Sequence, residues 1–190
     1  ERIMKVKDAK EITGSLTRTS KMPGLSYSLP AWEWKTGPKL RKVKGSVCSM
    51  CYALKGNYTR YKAIKAAQYV RLKSLQDSRW IEAMTAQVKR STYFRWHDAG
   101  DVQDLNHLNK IYEVCRQTPD TKHWMPTREA WIKDHLASKP DNLVIRFSPP
   151  MIGQRNDTWP NSSMVVNEGA SCPAPSQGGK CGDCRQCWDP

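Results

Sequence analysis

The chain has 190 residues, of which 38% are hydrophobic and 26% charged, enough for one modest core. Its apolar runs fall well short of the roughly 18–20 residues that span a bilayer, so we expect no membrane-spanning helix. Basic residues exceed acidic ones by 13, and the whole excess lies in residues 1–74, with 17 basic and 4 acidic side chains. This asymmetry predicts a basic surface that attracts a polyanion, with a solubilising face as the alternative.

The first half of the chain is predicted to contain short strands and then helices. Residues 12–35 are rich in Ser, Thr, Pro and Gly, which indicates turns and short strands. Residues 61–76 have the apolar spacing of a helix. Its apolar residues, which we expect on one broad buried side, are Ile64, Ala67, Tyr69, Val70, Leu72 and Leu75. A second helix should follow a cap at Asp77 or Ser78.

The second half alternates strands and helices. Strands are predicted over residues 92–96, 122–126 and 142–147, with one more over 163–166. Between them we expect a helix capped by Asp104 and another, over residues 128–138, capped by Thr127. Cys115, at helical spacing with apolar neighbours, is expected to be a buried structural thiol. The alternation predicts an α/β fold with a parallel sheet.

Function in parallel sheets gathers at the carboxyl ends of the strands. Those ends carry His97, Asp98 and Asp101, then Arg128. We predict that these four side chains have ligand-binding or catalytic roles, and that Arg146 lines the same pocket. The alternative is a solvated turn in which an aspartate only caps the next helix.

Six further cysteines predict a metal site. They are Cys48, Cys51, Cys172, Cys181, Cys184 and Cys187. An odd total of seven and two CxxC groups argue against a disulfide framework and for thiolates on metal. The three-residue steps favour a [4Fe–4S] cluster; Zn²⁺ is the alternative, and a metal-free redox dithiol ranks last. Cys48 and Cys51 could meet two cysteines near the C-terminus at one site.

Two regions follow from this reading. Residues 1–150 should form a basic α/β core, and residues 151–190 an irregular cysteine-rich tail that the metal fastens to the core. Aromatic and basic residues interleave around Tyr58–Arg71, which indicates a nucleic-acid or other polyanion surface within residues 35–73. The alternative places Tyr61 and Tyr69 in the core of an amphipathic helix.

Several motifs resemble a bacteriophage family, the gene product 88-like proteins. They are Gly14–Gly24, Cys48–Gly56, Trp96–Asp101 and the terminal cysteine run, and the match in which they lie covers most of the chain. The resemblance implies a phage protein in the cytoplasm of the infected host cell.

The chain also resembles, more distantly, the radical S-adenosylmethionine enzymes, which are partial (β/α) barrels with a three-cysteine cluster loop. Cys48 and Cys51 match the second and third cysteines of that loop, and Lys44 occupies the place of the first. His97, Asp98 and Asp101 fall where that superfamily binds the methionyl amino group. Without the first cysteine of that loop, tail thiols would have to complete the cluster. Four thiolates would leave no open iron, which argues against S-adenosylmethionine as a cofactor.

Two functions remain as hypotheses. The first is a [4Fe–4S] protein on a partial barrel, with an electron-transfer, redox-sensing or cofactor-dependent role. The second is a zinc-stabilised module that binds nucleic acid without catalysis. Whether the protein is an enzyme is left open by the sequence.

Overall fold

The computed structural model describes residues 3–190 and shows a four-stranded parallel sheet in the order β1–β2–β3–β4. The strands are β1 (Leu25–Ser28), β2 (Tyr93–Ala99), β3 (Lys122–Thr127) and β4 (Leu143–Phe147). The predicted α/β class with a parallel sheet is confirmed. Each strand pairs only with its neighbours in this order, so the sheet is open, and a radical-enzyme-like partial barrel is not shown by residues 3–190.

Six α-helices and several 3₁₀ segments surround the sheet. The α-helices are α1 (Val6–Thr13), α2 (Gly37–Leu40), α3 (Asn57–Arg60), α4 (Lys62–Ser74), α5 (Trp80–Val88) and α6 (Leu105–Arg116). The 3₁₀ segments are Val47–Met50, Tyr52–Leu54, Ala130–Ser138, Ala174–Gln177 and Gln186–Trp188. The predicted helices over 61–76 and after Asp77 are confirmed, and Asp104 caps α6 by accepting the His107 amide proton at 2.8 Å.

Two predicted elements take another form. The helix expected over residues 128–138 is instead the 3₁₀ segment Ala130–Ser138. At its start, the Ile132 amide donates to the Glu129 carbonyl, which is the i to i+3 bond of a 3₁₀ helix. The strand expected over 163–166 does not form. Phe147 alone makes both hydrogen bonds there, with Asn161 and Ser163, so the pairing stops after one residue of β4.

The main core lies between α5, α6 and one face of the sheet, and it is unusually aromatic. Tyr27 of β1 meets Trp80 of α5 edge-on, with ring centroids 6.0 Å apart, and Phe94 meets Trp96 at 4.8 Å. Cys115 is fully buried in this core, as expected for a structural thiol. Because side chains alternate along a strand, the residues between these project from the opposite face.

That opposite face carries polar and charged side chains, and the chain's C-terminus covers part of it. Arg95 of β2 stacks on Trp124 of β3, its guanidinium carbon 4.7 Å from the ring centroid. Trp188, only 4% exposed, packs edge-on against Trp124 and Tyr93 and donates a hydrogen bond to the Phe94 carbonyl at 3.0 Å. The sheet therefore separates an apolar core from a second, charged compartment.

Residues 151–190 are irregular, and two tryptophans pack them on the core. Trp159 stacks on Phe147 with ring centroids 4.7 Å apart, and Trp188 sits on the open face of the sheet. A bridge between Ser46 and Met151 adds a third contact. Aromatic burial thus holds the tail in place, a contribution that the sequence analysis assigned to metal alone.

Helix α4 buries a polar side that the prediction did not include, although Leu72 packs on the core and Leu75, just after the helix, is buried as expected. Its buried residues are Gln68, Arg71 and Ser74, whereas Val70 is 50% exposed. The reason is polar: Arg71 donates to the Ser15 and Ser28 carbonyls at 2.8–3.2 Å, and Gln68 donates to the Ser28 hydroxyl at 2.9 Å. Satisfying these groups outweighs the burial of the apolar side.

Candidate functional site

A cavity of about 310 Å³ lies at the carboxyl ends of β2 and β3. We call it the carboxyl-edge cavity. Its lining includes predicted site residues from three separate parts of the sequence: Cys48, Cys51, His97, Asp98, Asp101 and Arg128. The structure therefore brings these six residues together at one cavity.

Asp101 is held in the wall of this cavity by three neutral donors. Oδ1 accepts the Val102 amide proton and the Thr127 hydroxyl proton, both at 2.7 Å, and Oδ2 accepts the Arg128 amide proton at 2.8 Å. Burial raises the pKa of the carboxyl to about 7, against the lowering effect of these hydrogen bonds. Asp101 therefore fixes the end of β2 to the end of β3.

Asp98 is similarly buried and shared among hydroxyl groups. It accepts hydrogen bonds from Ser26 at 3.2 Å and Tyr58 at 2.7 Å, and its carbonyl accepts one from Tyr52. Burial raises the pKa of the Asp98 carboxyl, and the hydrogen bond from Tyr58 lowers it. The two tyrosines connect the segment after Cys51 to the strand end.

His97 has a different place from its neighbours. Its φ of 61° is the left-handed conformation that non-glycine residues rarely adopt, which turns the following residue to the open face. The ring lies 3% exposed among Tyr27 and His107, and neither ring nitrogen has a hydrogen-bond partner in residues 3–190. Burial, more than the nearby His107, lowers the His97 pKa well below its usual value, so the ring is neutral at pH 7.

Arg128 is fixed by oxygen atoms that follow β4. Its Nη1 donates to the Ser148 carbonyl and hydroxyl and to the Pro149 carbonyl, at 2.9–3.1 Å. The side chain thus bridges the ends of β3 and β4 while lining the cavity.

Cys48 and Cys51 form the opposite wall on a short 3₁₀ turn. Ser46 caps that turn by accepting the Ser49 amide proton at 3.0 Å. Burial raises the pKa of the Cys48 thiol, and the nearby Arg128 guanidinium lowers it less. Cys48 is therefore a neutral thiol at pH 7.

The other four predicted ligands lie together elsewhere. We call Cys172, Cys181, Cys184 and Cys187 the tail thiols. Burial raises the Cys181 pKa, and repulsion from Cys172 and Cys184 raises it further. Burial likewise raises the Cys187 pKa, which Arg146 lowers and which Cys172 and Cys181 raise. All seven cysteines of the chain are free thiols.

The structure separates the two thiol groups. Cys48 and Cys51 line the carboxyl-edge cavity, whereas Cys172, Cys184 and Cys187 line a groove that also contains Arg146. Arg146 therefore belongs with the tail thiols and not with Asp98 and Asp101. Within residues 3–190, no three His, Cys, Asp or Glu side chains stand ready to ligate one ion.

Sequence reasoning missed several residues of these sites. Arg41 and Tyr52 line the carboxyl-edge cavity, and Tyr58 holds Asp98. Arg41 looked like one member of a basic run, since nothing in that run distinguishes a lining residue from its exposed neighbours. For Tyr52, the available signal was its position directly after Cys51.

The fold and site define a parallel α/β protein with one small cavity at the sheet's carboxyl edge and a separate thiol cluster. A family model described as "Gene product 88" matches residues 3–157, so the chain belongs to that family. This confirms the resemblance to the bacteriophage gene product 88 proteins. The matched region contains the carboxyl-edge cavity and ends before the first of the tail thiols.

No curated protein and no solved structure matches the chain. The resemblance to radical S-adenosylmethionine enzymes thus gains no support from these comparisons. Among the helices that residues 3–190 form, none has the length and apolar character to cross a bilayer.

Proposed function

We propose that this protein is an iron–sulfur protein in which the four tail thiols hold a [4Fe–4S] cluster. The observation that carries the proposal is their grouping: four free cysteines from residues 172–187 share one region, and neighbouring thiols add to the burial that raises the pKa values of Cys181 and Cys187. All four candidate ligands are thiols, and thiolates are the donors that such clusters use. Zn²⁺ held by four thiolates is the alternative occupant.

The surroundings of the tail thiols suit a centre of net negative charge. Arg146 donates to the Gln186 and Asp189 carbonyls at 2.9 and 2.5 Å, which places its guanidinium beside Cys187. Arg95 lowers the pKa of both Cys181 and Cys187. Two cations on the open face of the sheet therefore offset part of the effect of burial on these thiol pKa values.

The backbone of this region can close around a cluster. Gly178, Gly179 and Gly182 have φ values of 55–77°, which let the chain turn sharply between Cys172 and Cys184. The Cys181 amide donates to the Lys21 carbonyl at 2.7 Å, and Trp188 is buried against the sheet, so both ends of the cysteine run are fastened. The four side chains would have to rotate toward one centre to bind the cluster, since their present arrangement does not form a ligand set.

When bound, a [4Fe–4S] cluster supplies one-electron redox chemistry. The tail thiols would ligate it, Arg95 and Arg146 would offset its charge, and Trp124 and Trp188 would exclude water from the side facing the sheet. Four protein thiolates leave no open iron for S-adenosylmethionine, so the proposal contains no radical chemistry.

The test is anaerobic purification of the full chain, followed by assays of iron, sulfide and zinc and a visible spectrum. We expect about four irons and four sulfides per chain and absorption near 400 nm, as iron–sulfur clusters give. Cys184→Ser should lose the iron. Cys115→Ala, which removes a core thiol, is the matched control and should keep it. A colourless protein with one zinc per chain would overturn the proposal of an iron–sulfur cluster. A metal-free protein would overturn the proposal of a metal centre altogether.

A second candidate function, polyanion binding, is favoured by the exposed side of α4. Tyr61 is 51% and Tyr69 38% exposed, so neither lies in the core, and Lys65 stands 5.1 Å from the Trp32 ring centroid. Exposed aromatic rings beside lysines are typical of single-strand nucleic-acid surfaces.

Fluorescence anisotropy with a single-stranded oligonucleotide at rising salt tests this candidate. We expect binding with a log–log salt slope of several released ions, weakened by Tyr61→Ala. Arg155→Gln, which removes an exposed cation elsewhere, should have little effect. Binding that is absent, or unchanged in Tyr61→Ala, contradicts it.

A further inference from the structure

The carboxyl-edge cavity contains more positive than negative charge available to a ligand. Three guanidinium groups line it, from Arg41, Arg95 and Arg128, together with the carboxylates of Asp98 and Asp101. Among residues 3–190, ion pairs form between Arg79 and Asp77, Arg116 and Glu113, and Arg155 and Asp157, and all three lie elsewhere.

The two carboxylates do not neutralise these cations. Asp101 accepts its hydrogen bonds from two amide groups and one hydroxyl, and Asp98 from two hydroxyls. Burial raises the pKa of both carboxyls, which favours their neutral forms. Cys48 adds no charge either, since burial raises its pKa.

Arg41 has a buried guanidinium nitrogen that lacks a hydrogen-bond acceptor. Its Nη2 is buried without a hydrogen-bond partner in residues 3–190. Arg128, in contrast, uses Nη1 on Ser148 and Pro149. Arg95 also has a buried Nε without a partner in residues 3–190, but its guanidinium stacks on Trp124. A buried donor without an acceptor is costly, above all on a charged group, so native sites of this kind pair it with protein, water or ligand.

Much of the remaining wall is apolar, and the position of Trp34 within it is fixed. Trp34 donates its indole proton to the Ala31 carbonyl at 2.8 Å, which fixes the ring. A Cβ on Gly37 would stand 2.1 Å from that ring, so only glycine lets Trp34 occupy this place. Val47, Leu54 and Pro126 complete the apolar lining. A volume of about 310 Å³ suits a ligand of small-metabolite size.

We propose that the carboxyl-edge cavity binds a small organic oxyanion, a carboxylate or phosphate on an apolar or aromatic body, and that Arg41 receives the oxyanion. The guanidinium fork matches either oxyanion geometrically. Trp34 and the aliphatic side chains contact the body of the ligand. The inference does not depend on the metal centre, because Arg41, Arg128 and Trp34 are separate from the tail thiols; Arg95 alone of the three guanidinium groups acts on both regions.

The test measures binding to the full chain by isothermal titration calorimetry with four probes: phenyl phosphate, benzoate, phenol and inorganic phosphate. We expect saturable binding of phenyl phosphate or benzoate, and at least about tenfold weaker binding of phenol, which lacks the oxyanion. Whichever of the two anions binds more tightly identifies the class. Inorganic phosphate alone should bind more weakly, because it leaves the apolar wall empty.

Variants assign the interaction to Arg41. Arg41→Gln should weaken the bound anion about tenfold or more, and Arg41→Lys should recover part of the loss. Lys42→Gln removes the neighbouring exposed cation and is the matched control, with affinity expected within about twofold of the wild type. Equal losses in both variants would reduce the effect to net charge and overturn the proposal.

A measurement on the unaltered chain covers the case in which the Arg41 variants fail to fold. Cys51 lines the cavity and is partly exposed, so a bound probe should slow its alkylation by iodoacetamide, followed by mass spectrometry. The labelling of the tail thiols should not change. Cys51 labelling that is unaffected by saturating benzoate and phenyl phosphate contradicts the inference, whatever the metal content.

Discussion

Asp101 is the residue that joins the most parts of the candidate site. Its carboxyl accepts hydrogen bonds from the Val102 amide after β2, from the Thr127 hydroxyl at the end of β3 and from the Arg128 amide. The sequence predicted its position because it follows a strong strand, but not its state of ionisation. That state depends on burial, which arises only when the strand ends meet.

The raised pKa of Asp101 predicts a pH-dependent stability. Its folded pKa of about 7 exceeds the ordinary value near 4, so protonation favours the folded state. This stabilisation is complete below about pH 4 and is lost as the pH rises through 7. Relative to Asp101→Asn, the wild-type free energy of unfolding should therefore fall by about 4 kcal/mol between pH 4 and pH 8.

Urea unfolding at several pH values measures this difference. The buried histidines are present in both proteins, so their opposite pH dependence cancels. Asp134→Asn, which removes an exposed carboxyl, should follow the wild type. A difference between wild type and Asp101→Asn that stays constant or grows with pH would refute the assignment.

Other site residues show where sequence reasoning ends. Asp98 and Arg128 were found because apolar strands end just before them. Arg41 was not, since its role depends on α2 bringing it to a cavity that also includes walls more than fifty residues away in the sequence. His97 was found as a position, but its ring faces the core, because its left-handed φ changes the alternation of side chains along β2.

At the scale of elements, α4 shows how periodicity can predict a helix and misplace its buried side. Apolar spacing located the helix within two residues of its observed ends. Its orientation follows instead from Arg71 and Gln68, which satisfy backbone and hydroxyl groups of β1 and the preceding loop. A hydropathy pattern cannot predict this orientation, because it does not account for hydrogen bonds that buried polar side chains donate.

Arg71 should therefore stabilise the fold more than any exposed apolar residue of α4. Arg71→Met keeps the apolar stem but leaves the Ser15 and Ser28 carbonyls without a donor, at a cost of about 2–4 kcal/mol. Lys73→Met, on the exposed side of the same helix, should change stability by less than about 0.5 kcal/mol. Equal changes in the two free energies of unfolding would show that Arg71 has no such role.

The last 3₁₀ segment is the element that holds the tail. Trp188→Ala removes a buried ring and its hydrogen bond to Phe94. Each 1.4 kcal/mol of lost docking energy raises the detached population tenfold, so limited proteolysis within residues 160–187 should accelerate at least about tenfold. Trp32→Ala, a tryptophan outside the tail, is the control. Unchanged cleavage in Trp188→Ala would mean that other contacts hold the tail.

At the scale of the whole molecule, the sheet divides the protein into two chemically different halves. One side is an aromatic core, and the other contains the carboxyl-edge cavity and the tail thiols around Arg95. The sequence predicted the parallel sheet because strands and helices alternate along the chain and because Leu143–Val144–Ile145 is apolar throughout. It could not predict that the six cysteines divide into two groups, since spacing does not reveal which loops cross the sheet.

The central claim is that the tail thiols alone form the metal centre, and one measurement tests it directly. Native mass spectrometry of the anaerobically purified chain should show one four-iron, four-sulfide cluster on the wild type and on a Cys48→Ser, Cys51→Ser double variant. The cluster should be absent from a Cys181→Ser, Cys184→Ser double variant. A cluster that survives the tail substitutions but is lost with Cys48 and Cys51 would contradict the account.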